Sequence, residues 1–263
     1  MSEALLISPF LLALFAAVGG ACLGSFANVA ALRSLRGEDW ISQPSACFHC
    51  GRKLGILQNL PLFGYLRHAG KAACCDAVLP ARYLAVEVAM AVLCVFTVSL
   101  LPLPIALLFL PFIVLQMVVF LTDWEAFIIP DWTSLGGAAL GLFLGLFAVP
   151  ALPDTHMALL GGAAGFGLIF GINALYRLAR GVDGFGQGDA KLMLCFGVWL
   201  GPLAIMPILF SAAVAGAVFG VSAIVLARWQ KSDDVPIKLP FGCFLAPMAL
   251  AWLFFAPQAL RGF

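Results

Sequence analysis

The chain has 263 residues, of which 63% are hydrophobic and 10% charged, and its net charge is +1. A soluble domain carries about 25% charged residues, so repeated apolar runs near 20 residues read as membrane spans and not as an oversized core. The small net charge gives no electrostatic case for nucleic acid, and three histidines are too few for a histidine-based metal centre by themselves.

The first apolar run, residues 5–31, has no basic stretch before it and is too long for the core of a signal peptide. Arg33 and Arg36 follow it, as after a retained span, which places the N-terminus outside. Apolar segments predict helices at about 9–31, 83–101, 104–122, 133–150, 157–178, 190–201, 203–227 and 239–257. The sixth is short, and is either tilted or starts deeper than its neighbours. Pro102 and Pro104 separate the second from the third, Pro150 and Pro153 end the fourth, and Gly201-Pro202 divides the sixth from the seventh.

Charge sets the orientation. Residues 33–82 hold Arg33, Arg36, Arg52, Lys53, Arg67, Lys71 and Arg82. Arg177, Arg180 and Lys191 flank the fifth–sixth connection, and Arg228, Lys231 and Lys238 the seventh–eighth. The alternate connections, near residues 102, 152 and 202, carry no Lys or Arg, and only Arg261 breaks the pattern. The positive-inside rule then puts the three basic groups in the cytoplasm. The expectation is an all-α polytopic membrane protein of about eight transmembrane helices with both termini periplasmic. Its divisions are a first helix (1–32), a cytoplasmic loop domain (33–82) and a seven-helix region (83–263). The spacings Gly20–Gly24, Gly137–Gly141–Gly145, Gly161–Gly165 and Gly216–Gly220 suit close helix packing.

Two acids stand out against this apolar background. Asp123 ends the third segment in VVFLTDWEAFIIPDW, and Asp189 opens the sixth in GFGQGDAKLM, from the same side. Ionisable residues at the membrane boundary are costly and are functional candidates. Two carboxylates that share one proton supply an acid and a base together, which activates water for peptide hydrolysis. Gly184, Gly186 and Gly188 suggest that Asp189 is presented on a bent, non-helical approach. Helix polarity suggests that Asp189, near a helix N-terminus, is the more readily ionised and Asp123, near a C-terminus, the more often protonated. Glu125, Asp131 and Asp183 read as ordinary boundary residues in turns.

The segment Gly186-Gln187-Gly188-Asp189-Ala190-Lys191-Leu192 resembles the GxGD signature of bacterial type IV prepilin peptidases. Asp123 with Ile129-Pro130-Asp131 resembles the other aspartate motif of that family. Further resemblances lie at Gly24-Ser25-Phe26-Ala27-Asn28-Val29, at Asn59–Leu66 (NLPLFGYL), at Ala81–Glu87 (ARYLAVE) and at Leu239–Ala246, similar to the family's PFGPFLA. GxGD alone is weak, but the ordered set is specific. The resemblance implies an aspartic endopeptidase of the bacterial cytoplasmic membrane with Asp123 and Asp189 as its catalytic pair. It would remove the basic leader from prepilins or type II secretion pseudopilins, cleaving after Gly. It further implies N-methylation of the new N-terminus with S-adenosylmethionine, and it aligns Gly70 with a glycine linked to methyl transfer. No separate nucleotide-binding motif is present.

Members of the bifunctional type carry two Cys-x-x-Cys pairs, read as a structural zinc site. Cys47 and Cys50 form the first pair here. Aligned on Arg82-Tyr83, the second falls at 72 and 75, and position 72 is alanine, while Cys74 sits beside Cys75. Adjacent cysteines rarely reach one ion together without strain, so Cys47, Cys50, Cys74 and Cys75 stand as candidate zinc ligands, with His49, His68 or Asp76 as substitutes. A loop of reduced thiols is the alternative. Cys22, Cys94, Cys195 and Cys243 read as packing residues of the spans. Other readings are a leader peptidase without methyltransferase activity, a proton-coupled transporter, which calls for mid-span acids and an internal repeat, and an inactive secretion-system scaffold.

Overall fold

The computed structural model describes residues 8–41, 43–47, 49–55, 58, 60–147, 152–182, 184–229 and 239–256. Phe48, Asn59, Pro150, Asp183, Lys231, Lys238 and Arg261 lie outside them. The fold is all-helical. Helices α1 (Pro9–Arg36), α2 (Phe63–Arg67), α3 (Arg82–Leu100), α4 (Leu103–Ala126), α5 (Asp131–Gly145), α6 (Thr155–Arg180), α7 (Gln187–Leu200), α8 (Ile205–Trp229) and α9 (Gly242–Phe255) follow in order, with one 3-10 turn at Pro202–Ala204. Two isolated bridges, Ala46 with Lys53 and Lys71 with Val78, are the only sheet-type pairings among the described residues.

Among the described residues, five helical stretches are long and apolar enough to cross a membrane: α1, α3, α4, α6, and α8 with its preceding 3-10 turn. Every other predicted segment also holds a helix, but α5, α7 and α9 have only 15, 14 and 14 residues. At 1.5 Å per residue these reach about 21–23 Å, short of the ~30 Å hydrocarbon thickness. Large apolar side chains such as Phe15, Phe210 and Val221 are exposed on the long helices, as a lipid-facing surface requires.

The chain divides by its contacts into two units, Met1–Met117 and Val118–Phe263. In the first, α1 packs on α3. Glycine makes this approach close: a Cβ on Gly20 would lie 2.6 Å from the Met90 carbonyl oxygen, and one on Gly24 2.8 Å from the Glu87 Cα. Fully buried Asn28 donates to the Tyr83 carbonyl at 3.4 Å and accepts from Arg82 Nε at 3.3 Å. Glu87 accepts from the Leu62 N–H at 2.7 Å. The motifs quoted around residues 28, 62 and 83 therefore meet, and their shared work here is to close the loop between α1 and α3. Arg33 adds to this by donating to the carbonyls of Gln43 and Pro44 at 2.8 and 2.9 Å.

In the second unit, α7 is the central element. It packs against α5 and α6 and touches α9, and most of its residues from Asp189 onward are buried. Glycines again set the distance. At Gly161, Gly165 and Gly197 a Cβ would overlap the backbone of the facing helix. The Trp199 indole donates to the Gly137 carbonyl at 2.8 Å and lies against Gly141. The Gly216–Gly220 spacing is looser, with Phe244 3.5 Å from a Cβ on Gly216.

Candidate active site

Asp123 lies in the last turn of α4 and Asp189 in the first turn of α7. The first is 4% exposed and the second 8%, a depth that few carboxylates occupy without purpose. Both open onto one cavity of about 880 Å³. The walls of the cavity mix apolar Phe127, Ile128, Phe185 and Phe241 with polar Asp131, Gln187 and Lys191. Phe185 and Phe241 meet edge to face at 5.2 Å.

The approach to Asp189 is bent and non-helical through Gly184–Gly186, and Asp189 itself sits in the first turn of α7; glycine's backbone freedom is not what permits the bend. The helix starts at Gln187, and Gly186 before it has φ −69° and ψ 149°, which any residue adopts. Neither Gly184, Gly186 nor Gly188 has positive φ. These glycines serve close approach instead. A Cβ on Gly188 would lie 3.1 Å from Ile129, and one on Gly184 3.0 Å from the Tyr176 ring. The Asp189 carboxylate accepts from the Gly186 N–H at 3.1 Å and so caps its own helix. Asn173 of α6 fixes the approach to this turn, accepting from the N–H groups of Gly184 and Phe185 at 2.7 and 3.1 Å.

The helix-polarity argument for an asymmetry between the two acids leaves out a second helix N-terminus. Asp123 accepts from the Cys243 N–H at 3.0 Å, and Cys243 is in the first turn of α9. Each carboxylate thus faces the positive end of a helix, one its own and one a neighbour's. Cys243 does more than pack: its N–H holds Asp123 and its thiol donates to the Phe120 carbonyl at 3.2 Å. The signal was present in the sequence: the similar family motif has proline at this place, and proline has no N–H to donate. Gly242 also contributes, since a Cβ there would lie 3.0 Å from Asp123 Oδ2.

Two other boundary acids also differ from their expectation. Glu125 is helical, not in a turn. Asp131 opens α5 and pairs with Lys191 Nζ at 2.6 Å.

The cysteine loop of the first unit forms two matching turns. Cys47 N–H donates to the Arg52 carbonyl at 2.9 Å and Gly51 N–H to the Cys47 carbonyl at 2.8 Å. Ala72 and Asp76 repeat this pattern, with Ala72 N–H to the Ala77 carbonyl and Asp76 N–H to the Ala72 carbonyl, both at 2.8 Å. Gly51 and Asp76 take the same left-handed conformation, at φ 70° and 54°. Ala72 thus occupies the place of Cys47, and Cys75 that of Cys50. Cys74 supplies the missing sulfur.

The sulfurs of Cys47, Cys50, Cys74 and Cys75 all lie within 4.8 Å of one another. Individual separations are 3.8 Å for Cys47–Cys75, 3.3 Å for Cys50–Cys74 and 3.9 Å for Cys74–Cys75. A tetrahedral zinc with ~2.3 Å bonds needs sulfur–sulfur edges of about 3.8 Å. The adjacent cysteines therefore do reach one point, contrary to the expectation from their spacing. Burial raises the Cys47 thiol, but the backbone at Cys50 and His49 and the neighbouring thiols outweigh this and bring it down to about 7. Cys74 is pushed up to about 12, first by Cys50 and then by Cys47.

Comparison with known proteins agrees with this geometry. Residues 18–101 match the bacterial peptidase A24 N-terminal domain, and residues 109–221 match the type IV leader peptidase family. A prepilin leader peptidase/N-methyltransferase of Burkholderia pseudomallei (strain 1026b) is 33% identical over 212 residues, covering 80% of this chain and 67% of that protein. The protein of the same name from Dichelobacter nodosus is 32% identical over 219 residues, covering 83% and 72%. The chain belongs to the type IV leader peptidase family. The Pseudomonas putida member is 31% identical over 204 residues, covering 77% and 68%. No solved structure matches. Within this leader peptidase, both buried aspartates fall inside the 109–221 match and the four cysteines inside the 18–101 match, while Gly242 and Cys243 lie beyond both.

Proposed function

We propose that this leader peptidase is an aspartic endopeptidase of the bacterial inner membrane. It cuts the basic leader from type IV prepilins or pseudopilins on the cytoplasmic side, after a glycine, with Asp123 and Asp189 as the reacting acids. The observation that carries the reading is the single cavity onto which both buried carboxylates open.

The chemistry needs one proton shared by two acids. A water bound between them loses a proton to the ionised carboxylate as its oxygen attacks the scissile carbonyl carbon. The protonated carboxyl gives its proton to the carbonyl oxygen, which leaves a neutral tetrahedral gem-diol. The acid that took the proton from water then gives it to the departing nitrogen, the carbon–nitrogen bond breaks, and the second acid recovers its proton from the gem-diol. The Gly186 and Cys243 N–H groups hold the two carboxylates in place throughout.

The four cysteines fit a structural zinc, which would tie the two matching turns together and takes no part in hydrolysis. The methyl-donor reading rests on the relatives' name. The surroundings of Gly70 do not fit S-adenosylmethionine: Gly70 has φ 76° and faces the Tyr65 ring, and the cavity beside it, lined by Tyr65, His68 and Lys71, measures about 120 Å³. Sites for such ligands measure roughly 300–1,000 Å³. No methyl-transfer step is derived; the second reading is a leader peptidase without methylation.

Digestion of a purified prepilin, followed by mass spectrometry, tests both readings. Wild type should release the leader, and Asp123→Ala or Asp189→Ala should slow release by at least ~10²–10⁴-fold. Full-rate cleavage by either variant removes the assignment. Added methyl mass on the mature pilin, in the presence of S-adenosylmethionine, decides between the bifunctional and the cleaving-only enzyme.

A further inference from the structure

Lys191 lies two positions after Asp189 and lines the same cavity. A free ammonium in a space with two carboxylates would pair with one of them and remove it from proton sharing. Its partner is instead Asp131, with Nζ 2.6 Å from Oδ1. Residues two apart on a helix point about 200° apart, so α7 can bury Asp189 while Lys191 reaches the rim. Asp131 is eight positions after Asp123 and is joined to it by the end of α4 and the 127–130 turn. That turn contains Phe127 at φ 56°, a strained conformation that persists only where surrounding contacts fix it. Gly188 and Ile129 make a second close contact between the same two segments.

We propose that the Lys191–Asp131 ion pair is a positioning device, which locks the turn after Asp123 to the first turn of α7 and so sets the separation of the two acids. The proposal rests on Asp123 and Asp189 being the reacting acids. Lys191 and Asp131 act through them and do not touch the scissile bond. The pair is partly exposed, with side-chain exposures of 29% and 64%, so it contributes little to folding. Its effect is on geometry, where displacement by 1 Å costs as much as ~10²-fold in rate.

The test is a double-mutant cycle on the full-length enzyme with a purified prepilin, reading kcat, KM and thermal unfolding together. Lys191→Met and Asp131→Asn should each lower kcat by about 10- to 100-fold with KM within about threefold. The double variant should be no slower than the slower single, because both remove one interaction. Lys191→Arg, which keeps the charge, should retain at least about a third of kcat, and unfolding temperatures should stay within a few degrees. Wild-type kcat in either single, or losses that multiply in the double, would overturn the proposal, as would a kcat loss that follows a matching fall in unfolding temperature. Asp123→Ala is run alongside. If it cleaves at full rate, the assignment of the acids has failed. If it is inactive while Lys191→Met is fully active, only the positioning role has failed.

Discussion

Asp123 and Asp189 are placed by contacts made far along the chain. The Cys243 N–H that holds Asp123 is 120 positions away, and the Ile129 side chain that packs tightly on Gly188 belongs to the turn after the other acid. Gly242 is the most exposed to test at this scale. An added methyl there would lie 3.0 Å from Asp123 Oδ2 and 3.1 Å from Ile129. Contacts this short force a shift, and the carboxylate is the atom group that shifts. Gly242→Ala should therefore lower kcat by about tenfold or more, with the fold retained by circular dichroism. An unchanged rate would show that Asp123 has room this geometry denies it. Single residues were only partly legible beforehand. An acid at a span end announces itself by its cost, but a backbone N–H has no side chain to read. Cys243 could be found only by noticing where a motif lacks its usual proline.

Helices were the most legible level, because apolar runs and Pro/Gly breaks encode them locally. The eight segments each hold a helix, and α4 and α6 run two to four residues past their expected ends. The shortness of α7 was legible; what periodicity missed was its central place, with burial supplied by α5, α6 and α9. The cysteine turns were legible in part. Their register on Arg82-Tyr83 is right, with Ala72 and Cys75 in the expected places, but the reach of Cys74 depends on the left-handed turn at Asp76. The element-level prediction follows from the sulfur separations. The purified protein should carry about one zinc per chain by elemental analysis, and Cys74→Ser should lose it on dialysis against a mild chelator. Cys22→Ser, outside the cluster, should keep it. Retention of zinc by Cys74→Ser would show that three sulfurs and another group suffice.

At the scale of the whole molecule, the basic residues divide the connections into two classes, and this division predicts the orientation. Alkaline phosphatase fused after Pro153, in a connection without Lys or Arg, should be active in the periplasm, and fused after Gly181 it should be silent. The reverse result would invert the topology and place the acids on the wrong side for a cytoplasmic leader. An orientation can be argued from charge alone, whereas the Lys191–Asp131 pair cannot, since its members are 60 positions apart and each looks like a boundary charge by itself. The central claim is that Asp123 and Asp189 act as one unit. Its most direct measurement is the single-turnover cleavage rate of Asp123→Asn, Asp189→Asn and the double variant on one prepilin. The prediction is that all three fall to the same residual rate, within about threefold, as for residues that work only together. A double variant slower than either single by the product of their losses would contradict it.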